Sequence, residues 1–248
     1  MLRAALGLSL SWLLLVAAAV GAMDFTSLDA RMARGDVAAP LQRLQQWCDT
    51  NPASCAILWR MAQCYYEMAR GAEDDAQKDK LLRQAEQLAR QAVTVAPNND
   101  EGYKWLAIVL GARAADCSIG DQVRLSREVR ENVEKALVLE PDDDISLLVL
   151  SRWHYKVASL GIWSRALVRI VYGGLPDASL EQAEVLLLRA IAQHDRIAHR
   201  YALAKVYKRM GRDEAAQEQL QKALLLPVTF PEEAEDLEKA QAKLEYWS

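Results

Sequence analysis

The sequence predicts an all-α fold in which pairs of antiparallel helices stack in chain order as a helical-pair solenoid. Three observations support this prediction. Ala, Leu, Gln and Glu are abundant, and no run alternates between polar and apolar residues as a strand would. Small and apolar residues recur at the same offsets in several places. At 248 residues, the chain is long enough for one extended domain with a sizeable core.

The recurring offsets match the tetratricopeptide pattern, a helix-turn-helix of about 34 residues with small residues where two helices approach closely. The last repeat is the clearest, with Gly211 in its turn and Pro227 after its second helix. The first helices are marked by Leu58, Met61, Ala62, Tyr65, by Tyr103, Leu106, Ala107, Leu110, by Leu147, Leu150, Ser151, His154, and by Leu203, Ala204, Tyr207. The second helices are marked by Ala85, Ala89, Ala92, by Val129, Val133, Ala136, by Ala183, Leu187, Ala190, and by Ala216, Leu220, Ala223. We therefore expect a tetratricopeptide-like solenoid of about four repeats.

The number of residues between the marked positions of the first and the second helix differs from repeat to repeat. Only nine places separate Tyr207 from Ala216 in the last repeat, whereas twenty separate Tyr65 from Ala85 in the first. Three of the repeats therefore carry inserted residues between the marked positions. Insertions that recur on one face of a solenoid often build its binding face, and solvated padding is the alternative.

Additional helices are expected at both ends of the stack. The stretch from Phe25 to Trp47 predicts two short helices broken at Gly35, with Pro40 in a first turn. Thr229 and Glu232 form a capping box for a last helix. The inner side of that helix carries Ala234, Leu237, Ala240 and Leu244. Such terminal helices, with a polar outer face, are what a finite solenoid needs.

The first 22 residues are predicted to be a separate segment, followed by the repeat domain at 23–248. Arg3 is the only charge before a long apolar stretch. The basic start, the Leu-rich middle and the small residues Gly21 and Ala22 are typical of a secretory signal cleaved near Ala22. A stretch of about 20 apolar residues would also span a bilayer as an uncleaved anchor. In either case we expect the repeats in the periplasm or at another extracytoplasmic location.

Neither catalysis nor a cofactor is indicated. His154, His194 and His199 fit no metalloprotease or triad pattern. A spacing of five on a helix would turn His194 and His199 to different faces, which argues against a shared metal. No glycine-rich phosphate loop precedes a helix. We therefore expect a non-enzymatic protein with no cofactor.

The chain has four cysteines, Cys48, Cys55, Cys64 and Cys117. No two of them form a CxxC pair, which disfavours a zinc site. In an oxidising compartment, a disulfide between Cys48 and Cys55 would close the intervening turn. Four buried thiols that act as small hydrophobic residues are the alternative.

One segment differs from its surroundings in charge. Between Ile145 and Pro176 the chain contains no acidic residue, yet it is rich in basic and aromatic side chains. A basic amphipathic helix with aromatic residues can lie on an anionic membrane or close over a lipid headgroup. A core helix whose arginines reach solvent is the alternative. The candidate ligand-binding residues are Trp105, Trp153, Tyr155, Trp163, Arg165 and Arg169.

Three short motifs occur in a characteristic order: LWRMA at 58–62, KWLAI at 104–108 and RWHY at 152–155. With them the chain resembles the regulator of microtubule dynamics family, from about Asp24 to its end, including Trp163 and the turn at Pro176. The resemblance implies an all-helical tetratricopeptide protein with an N-terminal membrane-targeting segment. Some family members are described as microtubule-associated. One acts at contacts between mitochondria and endoplasmic reticulum, where its repeat domain binds and transfers phospholipid.

The resemblance implies a role for only a few residues of this chain. Trp59, Trp105, Trp153 and Trp163 match positions that the family keeps, where they support the fold first, and no catalytic residue is carried over. The chain lacks the coiled coil and the phenylalanine-acidic tract motif of the contact-site member. For an exported protein, tubulin would be excluded as a partner.

Two classes of function follow from the sequence. In the first, the stack is an interaction scaffold whose concave groove takes a segment of a partner protein. In the second, the insertions roof the groove into an apolar cavity for a phospholipid or another hydrophobic ligand, and Arg165 or Arg169 meets the phosphate. A membrane surface is a further candidate partner. The net charge of −4 argues against nucleic acid.

Overall fold

The computed structural model describes residues 23–161, 164, 166, 169–171 and 173–247, which form α-helices and no strand. The expected signal or anchor at 1–22 lies outside these residues. The helices are α1 (Phe25–Met32), α2 (Ala38–Thr50), α3 (Cys55–Arg70), α4 (Asp75–Val95), α5 (Asp100–Arg113), α6 (Ile119–Leu139), α7 (Asp144–Ala158), α8 (Leu180–Gln193), α9 (Ile197–Arg209), α10 (Asp213–Leu224) and α11 (Pro231–Trp247). A short 3₁₀ turn, Ala114–Asp116, follows α5.

The helices stack as four consecutive pairs: α3 with α4, α5 with α6, α7 with α8, and α9 with α10. The second helix of each pair also packs against the first helix of the next pair. Helices α1 and α2 precede the stack, and α11 packs against α9 and α10 at its end. The predicted tetratricopeptide-like solenoid with terminal helices is therefore confirmed.

Side-chain caps explain why several of these helices begin where they do. The Asp74 carboxylate accepts a hydrogen bond from the backbone N–H of Gln77 at 2.7 Å, and Asp143 accepts one from Ser146 at 2.7 Å. Ser179 plays the same role at the start of α8. Each such bond satisfies a backbone donor that has no partner inside the helix and contributes about 1 kcal/mol.

The repeated small residues lie where the helices meet. All of the positions that mark the second helices are buried, and most of them have no exposed surface. Ala89, for example, lies in one apolar cluster with Ala62 and Leu106 from the neighbouring first helices. The methyl side chains at the alanine positions allow the helices to approach each other closely.

Replacing Ala89 by leucine is expected to lower the free energy of unfolding by about 1–3 kcal/mol, because three extra carbons would have to be fitted into a filled contact. Ala76, at the exposed start of the same helix, is the matched control. Ala76→Leu should leave stability nearly unchanged. Urea denaturation of both variants measures the difference, and equal midpoints would contradict close packing at Ala89.

The insertions take two different forms. In the first two repeats they lengthen the second helix, since α4 and α6 each have 21 residues whereas α10 has 12. In the third repeat the insertion is a separate segment between α7 and α8. Gly173 and Gly174 lie in this segment with φ of +74° and +84°, a left-handed conformation that favours glycine.

The start of α11 differs in detail from the prediction. The carboxylate that accepts the backbone N–H groups of Thr229 and Phe230, at 2.8 and 3.2 Å, belongs to Glu233. This carboxylate lies one residue later than the sequence pattern indicated. Ala240 is buried as predicted, but Ala234 is exposed, so the predicted inner face was wrong at that position.

All four cysteines are free thiols in this structure, so a bridge between Cys48 and Cys55 is not present. The Cys55 thiol donates a hydrogen bond to the Asn99 side-chain oxygen at 3.3 Å. Cys64 is buried in the apolar cluster of α1, α2 and α3. Burial raises the pKa of its thiol to about 12, which makes Cys64 a poor nucleophile.

Candidate functional site

The concave face of the stack is formed by the first helices of the repeats. Helix α3 contacts α5, α5 contacts α7, α7 contacts α9, and α9 contacts α11. The second helices of successive pairs are held further apart in the described part of the chain. In a curved stack, the helices that lie closer together are on the inner side. Exposed residues of α3, α5, α7, α9 and α11 therefore line a groove.

A basic cavity of about 280 Å³ opens on this inner face between α7, α9 and α11. We call it the basic cavity; its lining residues are Tyr155, Lys205, Lys208, Arg209, Lys243 and Trp247. Four of these six side chains are cations, in a chain whose net charge is −4. The cavity is therefore a local concentration of positive charge in a protein whose net charge is negative.

Aromatic rings hold the lysines of the basic cavity in place. The Lys205 ammonium lies 5.0 Å from the centre of the Tyr155 ring, and the Lys208 ammonium lies 5.3 Å from the centre of the Trp247 ring. Lys243 lies 6.0 Å from the same tryptophan ring. Each contact is worth about 0.5–1 kcal/mol at a partly exposed site, which offsets some of the repulsion between the cations.

The three lysines of the cavity differ in their acidic partners. Lys208 forms an ion pair with Asp213 at 3.2 Å. Among the described residues, no carboxylate lies within salt-bridge distance of Lys205 or Lys243. Burial, together with the nearby positive charge of Arg152, lowers the pKa of the Lys205 ammonium. An anion in the cavity would reverse this effect.

Helix α11 carries acidic residues across the inner face. Glu235 forms an ion pair with Arg70 of α3 at 3.2 Å, although the two residues are 165 positions apart. Asp236, the next residue, lies 3.9 Å from Arg152 of α7. The last helix therefore bridges the beginning and the middle of the stack through carboxylate contacts.

The structure separates the six candidate binding residues. Tyr155 lines the basic cavity. Trp153, on the same helix, is only 5% exposed, and its indole N–H donates to the Ser126 carbonyl oxygen at 2.8 Å. Trp105 is half-buried, with its ring centre 6.0 Å from that of Tyr66. Trp163 and Arg165 lie outside the described residues, and Arg169 is exposed.

The end of the third insertion is attached to the repeats by polar contacts. Arg127 of α6 donates to the Gly174 carbonyl oxygen at 2.5 Å, and Arg130 donates to the Asp177 carbonyl oxygen at 3.2 Å. The imidazole of His154 accepts a hydrogen bond from the Ser179 backbone at 3.4 Å. These contacts direct residues 173–179 along α6 and α7.

The two remaining histidines converge on one carboxylate, contrary to expectation. His194 precedes α9 instead of lying on it, and its Nδ1 is 3.2 Å from Asp144. His199 Nε2 is 3.6 Å from the same side chain, and burial lowers the pKa of its imidazole. Arg196 already pairs with Asp144 at 2.6 Å. Within the described residues, no group of three or more His, Cys, Asp or Glu side chains is arranged to hold a metal.

The residues of the basic cavity that lie on α9 and α11 were not among the sequence candidates. One signal was present, because Lys205, Lys208 and Arg209 follow the i, i+3, i+4 spacing of a single helix face. Lys205 and Lys208 also follow the buried Ala204 by one and four residues. In the third repeat these offsets from Ser151 give Arg152 and Tyr155. Lys205 and Lys208 of the fourth repeat are thus equivalent in position to Arg152 and Tyr155 of the third, and residues at these two offsets lie on the inner face.

Comparison with known proteins agrees with this architecture. Residues 26–248 match the model of the family described as Regulator of microtubule dynamics protein 1-3. The chain belongs to this family. It is 31% identical over 181 residues to Regulator of microtubule dynamics protein 3 of Xenopus laevis, which covers 72% of this chain. It is 23% identical to Regulator of microtubule dynamics protein 1 of Caenorhabditis elegans, which covers 90% of this chain.

The relatives differ in length. The alignment spans 39% of the Xenopus protein but 98% of the Caenorhabditis protein. A solved structure of a thermophilic TPR protein from Thermus thermophilus superposes with a TM-score of 0.57 over 86% of this chain and 91% of that one. At 20% sequence identity, this likeness supports the fold alone.

The predicted periplasmic or extracytoplasmic location is wrong. The relatives are animal proteins named for the regulation of microtubule dynamics, and animal cells have no periplasm. The prediction depended on an apolar N-terminal stretch, a pattern that does not by itself specify a bacterial envelope. Among the described residues, no helix combines the length and apolar character needed to cross a membrane. The objection to tubulin as a partner, which depended on export, no longer applies.

Proposed function

We propose that this protein is a non-enzymatic scaffold that regulates microtubules by binding a segment of a partner protein along its concave face. The observation that carries the proposal is the row of first helices, which forms a continuous inner surface with half-buried aromatic side chains beside basic ones. Helical-repeat stacks of this kind recognise extended or helical segments through a few side chains per repeat.

Family membership supports the microtubule part of the proposal. The relatives from Xenopus and Caenorhabditis are named as regulators of microtubule dynamics. The tetratricopeptide fold is generally used for binding rather than for catalysis, and this chain has that fold. A partner that belongs to the microtubule, such as tubulin itself, therefore fits both the family and the groove.

The chemistry of the groove favours a protein partner over a lipid tail. The basic cavity is lined mainly by lysine and arginine, whereas an acyl chain needs predominantly apolar walls. Arg169, which the sequence suggested for a lipid phosphate, is exposed beside the exposed Ile170. We therefore place partner binding on the inner face of the repeats rather than on the insertion.

Co-sedimentation with polymerised tubulin tests the proposal. The inner-face variant Tyr66→Ala/Tyr155→Ala removes the aromatic side chains that follow Ala62 and Ser151 by four residues. We expect it to weaken binding to the polymer about ten-fold, equivalent to about 1.4 kcal/mol, because two aromatic contacts with the partner are lost. The matched outer-face variant Val138→Ala/Val185→Ala removes two exposed apolar side chains and should bind like the wild type.

Circular dichroism of both double variants is the control for folding, and we expect both to remain helical. Sedimentation that is equal for the inner-face and outer-face variants would contradict binding along the groove. A wild-type protein that stays entirely in the supernatant, at concentrations where the tubulin polymer is in excess, would contradict tubulin as the partner.

A further inference from the structure

We infer that the basic cavity is a carboxylate-binding subsite, and that the partner segment it receives is acidic, with closely spaced Asp or Glu side chains. The inference deepens the proposed function and rests on it, because it names the chemistry of the segment that the groove binds. The evidence for the inference is that three helices bring these side chains together around one cavity. Helix α7 supplies Tyr155, α9 supplies Lys205, Lys208 and Arg209, and α11 supplies Lys243 and Trp247.

Two of the cavity's cations have no ion-pair partner in the part of the chain that the structure describes. Lys205 and Lys243 come from different helices, line the same cavity, and have no carboxylate within salt-bridge distance among the described residues. Elsewhere the chain pairs its basic side chains extensively, as in Arg90 with Glu86 and Lys222 with Glu218. An unpaired, half-buried ammonium group is costly, and an incoming carboxylate would form charge-assisted hydrogen bonds with it.

The inner face already binds carboxylates from its own chain. Glu235 and Asp236 of α11 contact Arg70 and Arg152, which belong to the first helices of two different repeats. These contacts show that basic residues on this surface accept acidic side chains presented by a neighbouring segment. The basic cavity lies on the same face, and its Lys205 and Lys243 receive no carboxylate from any residue that the structure describes. An acidic partner segment would therefore make the same kind of contact with the cavity lysines as Glu235 and Asp236 of α11 make with the arginines of this face.

The electrostatics of Lys205 agree with this assignment. Burial and the positive charge of Arg152 lower the pKa of its ammonium group, and Lys239 and Lys243 act in the same direction. Asp236 is a nearby acidic group that opposes this shift. A bound carboxylate would stabilise the charged form of Lys205 and remove repulsion among the lysines.

The shape of the site selects a chain segment rather than a membrane. The cavity lies on the concave side of the stack, between α7, α9 and α11. A flat bilayer cannot follow a concave surface, whereas an extended peptide can enter it. Side chains on the same side of an extended segment repeat about every 7 Å, so alternate acidic residues can face the same groove. The aromatic rings of Tyr155 and Trp247 provide apolar contact for the stems between the charges.

Binding of two fluorescein-labelled peptides, oligo-glutamate and oligo-glutamine, to the full chain tests the inference. Fluorescence anisotropy should show that only oligo-glutamate binds, and that its affinity falls with added salt. The cavity variant Lys205→Gln/Lys243→Gln should weaken this binding at least about ten-fold, since two of the cations are lost. The control variant Lys135→Gln/Lys222→Gln removes two exposed lysines and gives the same net charge. It should bind within about two-fold of the wild type.

The outcomes separate the inference from the proposed function. Equal losses in the two lysine variants, or no binding of oligo-glutamate by the wild type, would overturn the carboxylate subsite. The proposed function survives either result if the Tyr66→Ala/Tyr155→Ala variant still loses tubulin binding. Vesicles that contain phosphatidic acid provide the remaining comparison. Binding to them that depends on Lys205 and Lys243, without peptide binding, would assign the cavity to a lipid phosphate instead.

Discussion

Replacing Trp153 by alanine is expected to lower the free energy of unfolding by about 3–5 kcal/mol. The side chain is 5% exposed and lies in an apolar cluster with Leu125 and Val129 of the preceding helix. Its indole N–H donates to the carbonyl oxygen and the hydroxyl of Ser126 at 2.8 and 2.9 Å. Alanine would leave a cavity and remove both contacts. Chemical denaturation monitored by circular dichroism measures the loss.

Two further variants define what Trp153 contributes. Trp153→Phe keeps most of the apolar volume but cannot donate to Ser126, so we expect a smaller loss than for alanine. Trp105→Ala removes a half-buried indole that contacts Tyr66, and its effect on stability should also be smaller. If Trp153→Ala were as stable as the wild type yet lost partner binding, Trp153 would be part of a binding surface rather than of the core.

The sequence was sufficient to predict the helical pairs because their cause is local. Ala85, Ala89 and Ala92 repeat at intervals that place them on one side of a helix, and only a close neighbour explains three such small residues. The residue that caps the start of α11 was harder to predict from the sequence. The sequence offers two adjacent acids, Glu232 and Glu233, and the rotation of the helix brings Glu233 to the Thr229 N–H.

The candidate site was harder to predict than the fold. The basic cavity combines Tyr155, Lys205 and Lys243, which are far apart in the chain and meet only because α7, α9 and α11 are neighbours. In the sequence, basic residues are locally dense in the segment around the third insertion, which therefore supplied most of the predicted site residues. Charge density along a chain does not show how residues of different helices converge in space. The inner face could be found only once the stacking order of the first helices was known.

The buried lysine of α5 supports a second prediction with a large expected effect. Lys104 donates to Glu101 at 2.8 Å and to Asp143 at 3.0 Å, and its side chain is only 10% exposed. Burial by itself would lower the pKa of this ammonium group, but the two carboxylates raise it above its ordinary value. Burial raises the pKa of Glu101, and Lys104 counteracts that effect. The cation thus holds together α5 and the cap of α7.

Lys104→Met should therefore lower the free energy of unfolding at neutral pH by about 3–5 kcal/mol, because it leaves two neighbouring carboxylates without their cation in a partly buried site. Without that cation, the folded-state pKa values of Glu101 and Asp143 should both rise. A carboxyl group whose pKa is higher in the folded than in the unfolded state takes up its proton preferentially in the folded state. The stability deficit of the variant should consequently shrink as the pH falls through those raised pKa values.

Lys222→Met is the matched control, since Lys222 pairs with Glu218 on the exposed side of α10. That pair is screened by water, so its loss should cost less than about 1 kcal/mol at any pH. Urea denaturation of both variants from neutral to acidic pH measures the two effects. A Lys104→Met deficit that stays constant with pH would show that packing of the lysine stem, rather than its charge, stabilises the junction between α5 and α7. Equal effects of the two substitutions would contradict the burial of the charge altogether.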